Sequence, residues 1–580
     1  MRYVLLPLFL AALPALAQDQ PAWVQKSNRN AQLLIDIEAR YSPEGAARSG
    51  VRGLDDKIMV LSADRTAKRR QDYRDAKKEL QTRLAAETDT LVRQDLQILI
   101  DAADQEVRLS EANERYAMPY INAPAAIYGG MTGLLDDQIA PERRAAALIR
   151  LKKYTGMEPG FTPLIQQAEE RFREKLNTPG LIGPSRIAVE KNLENTKAFL
   201  TGISLLLEKY KIQGYQDAYA KLKEQLTAYD DFVRKEVLPK SRADFRLRPE
   251  LYTIALEQYG VDFPQAELTS RAHQAFTEIQ NEMKPIAAKI AKEKNLPSSD
   301  YRDVVLFLKK NQIPGNQVLP VYQKRLAEIE DIIRREHLVT LPTRPAIIRI
   351  ASAAETAQQP APHMVPPPLM NNHGERGQFV LPLETTGEGG KTLKYDDFNF
   401  DAASWTLIAH EARPGHELQF DAMVERGVSL ARAMFAFNST NVEGWGLYSE
   451  WFMLPYMPDD GKLISLQLRL LRAARAFLDP ELQQGKVTPA DAMKVLQKDV
   501  VLSEGFATEE VERFTFRSPG QAVSYFDGYT RLREVRADAE KALGPKLNLQ
   551  RFHDFILSQG LLPPNLLRKA VMEDFVPSQK

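Results

Sequence analysis

A mainly α-helical fold with one small β element is what this sequence predicts, on three observations. Apolar residues recur at spacings of three and four along most of the first 340 positions. Two short extended runs, at residues 346–350 and 378–383, flank a proline-rich loop and interrupt that pattern. Helical patterning then resumes near residue 405 and continues to residue 543.

The elements follow in order. The opening MRYVLLPLFLAALPALAQDQ has a basic start at Arg2, an apolar stretch from Tyr3 to Leu13, and Ala15-Leu16-Ala17 before a polar segment. That is the pattern of a secretory signal peptide, residues 1–17, cleaved after Ala17. An uncleaved anchor is the poorer reading, because the run falls short of the ~20 residues a span needs and Pro7 and Pro14 break it. Residues 18–341 then read as a helical region forming one side of a cleft. Residues 77–109 carry an amphipathic pattern whose interleaved charges suit a solvated helix face, and similar patterns recur at 164–175, 187–209, 215–237, 266–294 and 318–335. In residues 342–580 the extended runs are too short and too few for a barrel, so they predict a small sheet. Residues 386–390, TGEGG, lack the lysine and helix-opening context of a phosphate loop and predict a turn. Helices are expected at 405–413, 442–454, 463–478, 489–498, 509–515 and 525–543.

Composition removes several function classes. With 580 residues, 44% hydrophobic and 27% charged, the chain is globular, and 30 Gly, 36 Pro and the lack of a fixed repeat exclude collagen-like and short-period solenoid folds. The 77 basic and 77 acidic residues cancel, so nucleic acid is not an expected partner. No later run approaches ~20 apolar residues, which predicts no stable membrane insertion after signal cleavage and a periplasmic or secreted fate. Oligomeric state has no signature here. The absence of cysteine removes disulfides, a thiol nucleophile, a lipid-bearing cysteine and thiolate ligands, so any metal must be held by His, Asp or Glu.

Only seven histidines occur, and two of them share the window His410-Glu411-Ala412-Arg413-Pro414-Gly415-His416. A hydrolytic zinc site needs neutral imidazoles, an acidic third ligand and a carboxylate beside the open coordination position. In the common H-E-x-x-H arrangement the histidines lie four apart on one helical face. Here they lie six apart, and a regular helix would place them about 240° apart, unable to share an ion. Pro414 and Gly415 predict a bulge or kink at 413–415 that swings His416 back toward His410. The expected third ligand is Glu443, on a helix capped by Asn441 or Thr440 and stopped at Pro455, with Gly444 and Gly446 allowing close approach. Glu450, seven residues on, is the runner-up ligand or the partner of a ligand histidine. Trp445, Tyr448, Trp451 and Phe452 read as core packing.

Four blocks, HEARPGHELQF (410–420), VEGWGLYSEW (442–451), SPGQAVSYFDGYTRLREVR (518–536) and FHDFILSQGLLPPNLL (552–567), resemble the bacterial "domain of unknown function 885" proteins, regarded as zinc metallopeptidases related to the gluzincins. The specific resemblance covers about residues 342–577. It implies a large helical zincin-like fold, one zinc per chain held by His410, His416 and Glu443, and Glu411 as general base and acid. One departure stands out. Where the family pattern has a D-x-G-x-H block, this chain has Asp479-Pro480-Glu481-Leu482-Gln483, which puts a substrate or transition-state contact in doubt.

Amide hydrolysis also needs donors for the tetrahedral oxyanion. Tyr525 and His553 are the candidates, with Arg533 a donor or, like Arg536, a carboxylate-binding residue. The run containing Phe379 and Val380 is the expected edge strand along which a peptide lies. The function expected is a zinc metallopeptidase acting on peptide substrates through a water activated by Glu411. The alternative is a non-catalytic exported binding protein that keeps the cleft and a structural metal. A serine hydrolase is excluded, since no G-x-S-x-G pentapeptide occurs.

Overall fold

The computed structural model describes residues 20–383 and 393–579, with the backbone alone of residues 385, 386 and 392. The expected signal peptide, residues 1–17, and nearly all of the 386–390 turn lie outside the described residues.

The chain is helical throughout its first half, and its helices gather round separate apolar cores. Helices Ala22–Tyr41, Arg65–Ala86 and Thr90–Tyr116 enclose Leu34, Leu80, Leu96 and Leu99. The single helix expected at 77–109 is thus two. Its break is polar chemistry that periodicity does not register: the Glu87 carboxylate accepts the backbone N–H groups of Thr88 and Asp89, and Asp89 caps the next helix through the N–H groups of Leu91 and Val92. Both helices bury the same core, so the apolar spacing runs on across the turn. A second core, around Ile127, Leu151, Phe172, Phe199 and Leu222, is built mainly by residues 123–237, with Ile58, Leu61 and Ala354 added.

The largest core joins the two halves. Helices Gln265–Glu293, Tyr301–Lys309 and Gly315–Arg335 bury Met283, Val304 and Ile329 in the same cluster as Ile408, Trp445, Leu470 and Val523. The division expected between residues 341 and 342 therefore does not coincide with a division between cores.

Three short strands, β1 (Ile347–Ile350), β2 (His363–Val365) and β3 (Gln378–Leu381), form a sheet in the order β1-β3-β2. β1 runs parallel to β3, and β2 antiparallel to it. This corrects the expected edge strand. Phe379 and Val380 lie in the central strand, fully buried, with β1 and β2 occupying both its backbone edges. They are core residues, and the edge strands are β1 and β2. Among the described residues no helix is long and apolar enough to cross a membrane.

Candidate metal centre

His410 stands in the last turn of helix Asp401–Glu411, which is buried on every side from Ala402 onward. The kink expected at 413–415 is in fact a full break. The helix ends at Glu411, residues 412–415 form a loop with a cis Arg413–Pro414 peptide, and a new helix, His416–Arg426, starts on the second histidine. Several contacts hold this loop. Arg413, itself buried, donates to both oxygens of Glu417 at 2.6 and 3.0 Å and to Glu330 at 2.7 Å. The Trp445 indole N–H donates to the carbonyls of Pro414 and Gly415 at 3.0 and 3.3 Å. Gly415 packs so closely on the preceding helix that a Cβ there would lie 1.8 Å from the His410 carbonyl oxygen.

The loop brings the two imidazoles together, with ring centroids 4.6 Å apart and planes at 80°. Glu443 comes from helix Ser439–Met453, one turn earlier than expected at its start because Asn438, not Asn441 or Thr440, caps it through the Asn441 N–H. Gly446 lies against the His410 ring, where a Cβ would approach Cε1 to 2.6 Å. Glu443 Oε2 consequently sits 3.3 Å from His410 Nε2 and 3.4 Å from His416 Nε2. Ligands ~2.0–2.1 Å from a tetrahedral zinc lie about 3.3–3.4 Å from one another, so this donor set fits the ion in chemistry and in spacing. Glu411 stands further off, its Oε1 4.0 Å from His410 Nε2. His410 Nδ1 donates to Glu450 Oε1 at 2.7 Å, and Thr406 donates to the other Glu450 oxygen at 2.5 Å. Glu450 is thus the partner that orients a ligand histidine. His416 Nδ1 is buried, with no protein hydrogen-bond partner among the described residues.

The electrostatics of the cluster favour a cation at its centre. Burial opposes protonation of His410, but hydrogen bonds to Glu443 and Glu450 outweigh it and raise its pKa to about 9. Burial likewise opposes ionisation of Glu443, and the two imidazoles reverse that and hold it well below the usual carboxylate range. Glu411 is raised by burial, which the two nearby imidazoles offset only in part.

A cavity of about 430 Å³ opens on these groups. His410, Glu411, His416, Glu443 and Tyr525 all line it. The Tyr525 ring lies parallel to His410, centroids 6.5 Å apart, and burial pushes its phenol well above the ordinary value, so it remains a neutral donor. Other expected residues lie elsewhere. His553 is fully buried among Trp445, Tyr448 and Phe452. Its Nδ1 donates to the Leu338 carbonyl at 2.7 Å and its Nε2 accepts from the Tyr448 hydroxyl at 3.0 Å. Burial lowers it to about 4, so it is a neutral core residue and not an oxyanion donor. His553→Ala is expected to cost about 1–3 kcal/mol of stability by stranding those two groups, with metal content unchanged, as denaturation and elemental analysis would show. Arg533 stacks on Trp451 at 3.8 Å and donates to Tyr529, away from the cavity. Arg536 pairs with Glu540. Gln483 bridges backbone, accepting from the Leu247 N–H and donating to the Phe514 carbonyl, and does not line the cavity.

The cavity also holds residues the sequence reading passed over: His363 of β2, and Arg472, Arg475 and Arg513. A signal for two of them existed. Arg472 and Arg475 lie on Asp459–Gln483, a helix whose other residues from 463 to 478 are apolar except Ser465, Gln467 and Arg469. A helix apolar all round is buried, and buried arginines need partners.

The family described as "Bacterial protein of unknown function (DUF885)" matches residues 43–571. The chain belongs to that family. Two solved structures share the fold of this DUF885 protein. One from Colwellia psychrerythraea, described as a "putative lipoprotein", has a TM-score of 0.75 at 17% identity over 95% of this chain and 99% of its own. Another so described, of unknown function, from Shewanella oneidensis, has a TM-score of 0.68 at 19% identity over 95% of this chain and 100% of its own. No curated protein matches the chain.

Proposed function

We propose that this protein is a zinc-dependent peptidase of zincin-like type. The observation that carries the reading is that Glu443 Oε2 stands 3.3 and 3.4 Å from the Nε2 atoms of His410 and His416, with Glu411 beside them on a cavity large enough for a short peptide. A zinc ion held there would polarise the substrate carbonyl and lower the pKa of a water molecule. Glu411 takes the proton of the attacking water and returns it to the leaving amine. Its buried, raised carboxyl suits that exchange. Tyr525 donates its phenolic hydrogen to the developing oxyanion. Glu450 and Thr406 hold His410 in the tautomer that presents Nε2.

The substrate backbone is expected along the free edge of β2, whose His363 and Met364 line the cavity, in place of the Phe379 and Val380 run. Gln483, at the position of the family pattern's histidine, bonds to backbone rather than facing the site, so it gives no support to the alternative of a non-catalytic binding protein. We place the protein outside the cytoplasm on its leader pattern. The leader closes on Ala15-Leu16-Ala17, and no cysteine follows to carry a lipid.

The test is metal content and its consequence. About one zinc per chain should survive extensive dialysis, and a chelator should abolish peptide cleavage that added zinc restores. A protein that neither retains nor takes up zinc would overturn the proposal.

A further inference from the structure

The end of the cavity beyond Tyr525 carries more positive charge than the reaction described above uses. Arg472 and Arg475, on helix Asp459–Gln483, and Arg513 all line it, and their exposures are 6%, 3% and 8%. Their protein contacts leave capacity over. Arg475 donates Nε and Nη2 to the two oxygens of Glu510, 2.6 Å each, while its Nη1 is buried with no hydrogen-bond partner. Arg513 shares that same Glu510 at 3.5 Å, lies 3.6 Å from Glu509, and donates to Gln521 at 3.1 Å. Arg472 donates to the Leu468 carbonyl, approaches Glu450 only to 3.6 Å, and its Nε has no partner. Glu509 is pushed up to about 7 by burial, which weakens it as a counter-charge. Buried guanidinium charge that its neighbours only partly offset is costly, and an anionic group in the cavity would offset it.

We propose that Arg472, Arg475 and Arg513 bind the free C-terminal carboxylate of a peptide, so that cleavage falls one or two residues from the C-terminus. This rests on the peptidase reading above and adds the substrate class and the direction of binding.

Two independent features support it. The first is distance. The Arg475 guanidinium lies 4.4 Å from the centroid of the Tyr525 ring, which itself lies 6.5 Å from the His410 ring, and Arg472 reaches the same Glu450 that holds His410. An extended residue spans ~3.3–3.6 Å, so there is room for one or two between the metal ligands and the arginines. The second is polarity along β2. The chain entering β2 is tied to the arginine end: the Tyr395 hydroxyl lies 2.9 Å from the Pro360 carbonyl and 3.1 Å from Glu509. Met364 of β2 and Leu369 in the chain leaving it pack with Phe420, Val442 and Met434 at the apolar end of the cavity. A peptide added antiparallel to β2 therefore runs from the apolar end toward the guanidiniums and arrives there with its C-terminus. A parallel peptide would bring its cationic amine to the same place, which like charge disfavours. Hydrolysis stays balanced: water supplies the hydroxyl of the new carboxylate and the hydrogen of the released amine.

The experiment uses full-length mature protein loaded with zinc. Calorimetry on the Glu411→Gln protein would compare N-acetylated tri- and hexapeptides as free acids with the same peptides as C-terminal amides, and with amides carrying a glutamate near the end. Free acids are expected to bind about ten- to a hundredfold more tightly than either amide. Mass spectrometry of wild-type digests should show loss of one or two C-terminal residues. Equal binding of acid and amide, no binding of either, or tight binding of the glutamate amide would overturn the inference, as would cleavage at internal bonds regardless of the end group. If the free acid binds selectively and wild type cleaves nothing, the carboxylate pocket stands and the peptidase reading falls.

Discussion

Replacing Glu411 by glutamine is expected to lower kcat for peptide cleavage by about 10²- to 10⁴-fold while zinc content stays near one per chain. The two halves of that expectation come from one piece of geometry. Glu411 Oε1 is 4.0 Å from His410 Nε2, further than the 3.3 and 3.4 Å at which Glu443 stands from His410 and His416, so its loss leaves those three donors in place. Glutamine keeps the shape and the hydrogen-bonding reach of the side chain and cannot accept a proton. Burial makes the native carboxyl a stronger base than an exposed glutamate, and that advantage disappears with the charge. Turnover of a peptide and elemental analysis on the same preparation decide the matter. Undiminished turnover would move the proton acceptor elsewhere in the cavity.

Gly415→Ala is expected to weaken zinc binding by about ten- to a hundredfold, the equivalent of about 1–3 kcal/mol of overpacking. The added Cβ would lie 1.8 Å from the His410 carbonyl oxygen and 2.5 Å from that of Ala409. These are backbone atoms, so relief comes only by shifting the end of the helix that carries one ligand or the start of the helix that carries the other. Arg413, Trp445 and Glu417 hold the loop between them and resist either movement. Competition against a chelator measures the change. Gly45→Ala, where a Cβ meets nothing within 4 Å, is the control and should bind zinc like wild type. A Gly415→Ala protein with unaltered affinity would mean that the 412–415 loop does not set the ligand geometry.

Much of the site was open to reading from residue types alone. Without cysteine, ligands had to be His, Asp or Glu, and a His-Glu pair with a second histidine past a Pro-Gly break is a small enough pattern to name. The structure brings His410, His416 and Glu443 together and gives Glu450 to His410 Nδ1. Tyr525 reached the cavity because the helix bearing it packs across the Glu443 helix, where Gly444 meets Gly528. His553 and Arg533 came from blocks just as distinctive and ended in packing roles, because a motif records that a residue is held in place without recording what holds it.

The sequence by itself determined the helical class, the position of the small sheet, the donor chemistry and the break between the two histidines. These depend on local spacing, on backbone preferences of Pro and Gly and on side-chain type, all of which are written in order along the chain. Tertiary structure alone decided that β1 and β2 rather than β3 are the edges, that the helices of residues 265–335 share a core with the site, and that Arg472, Arg475 and Arg513 meet at one end of the cavity. Periodicity tells which face of an element is buried. Strand order and the meeting of charges 38 or 41 positions apart depend on which other element covers that face, and that is fixed only when the whole core closes.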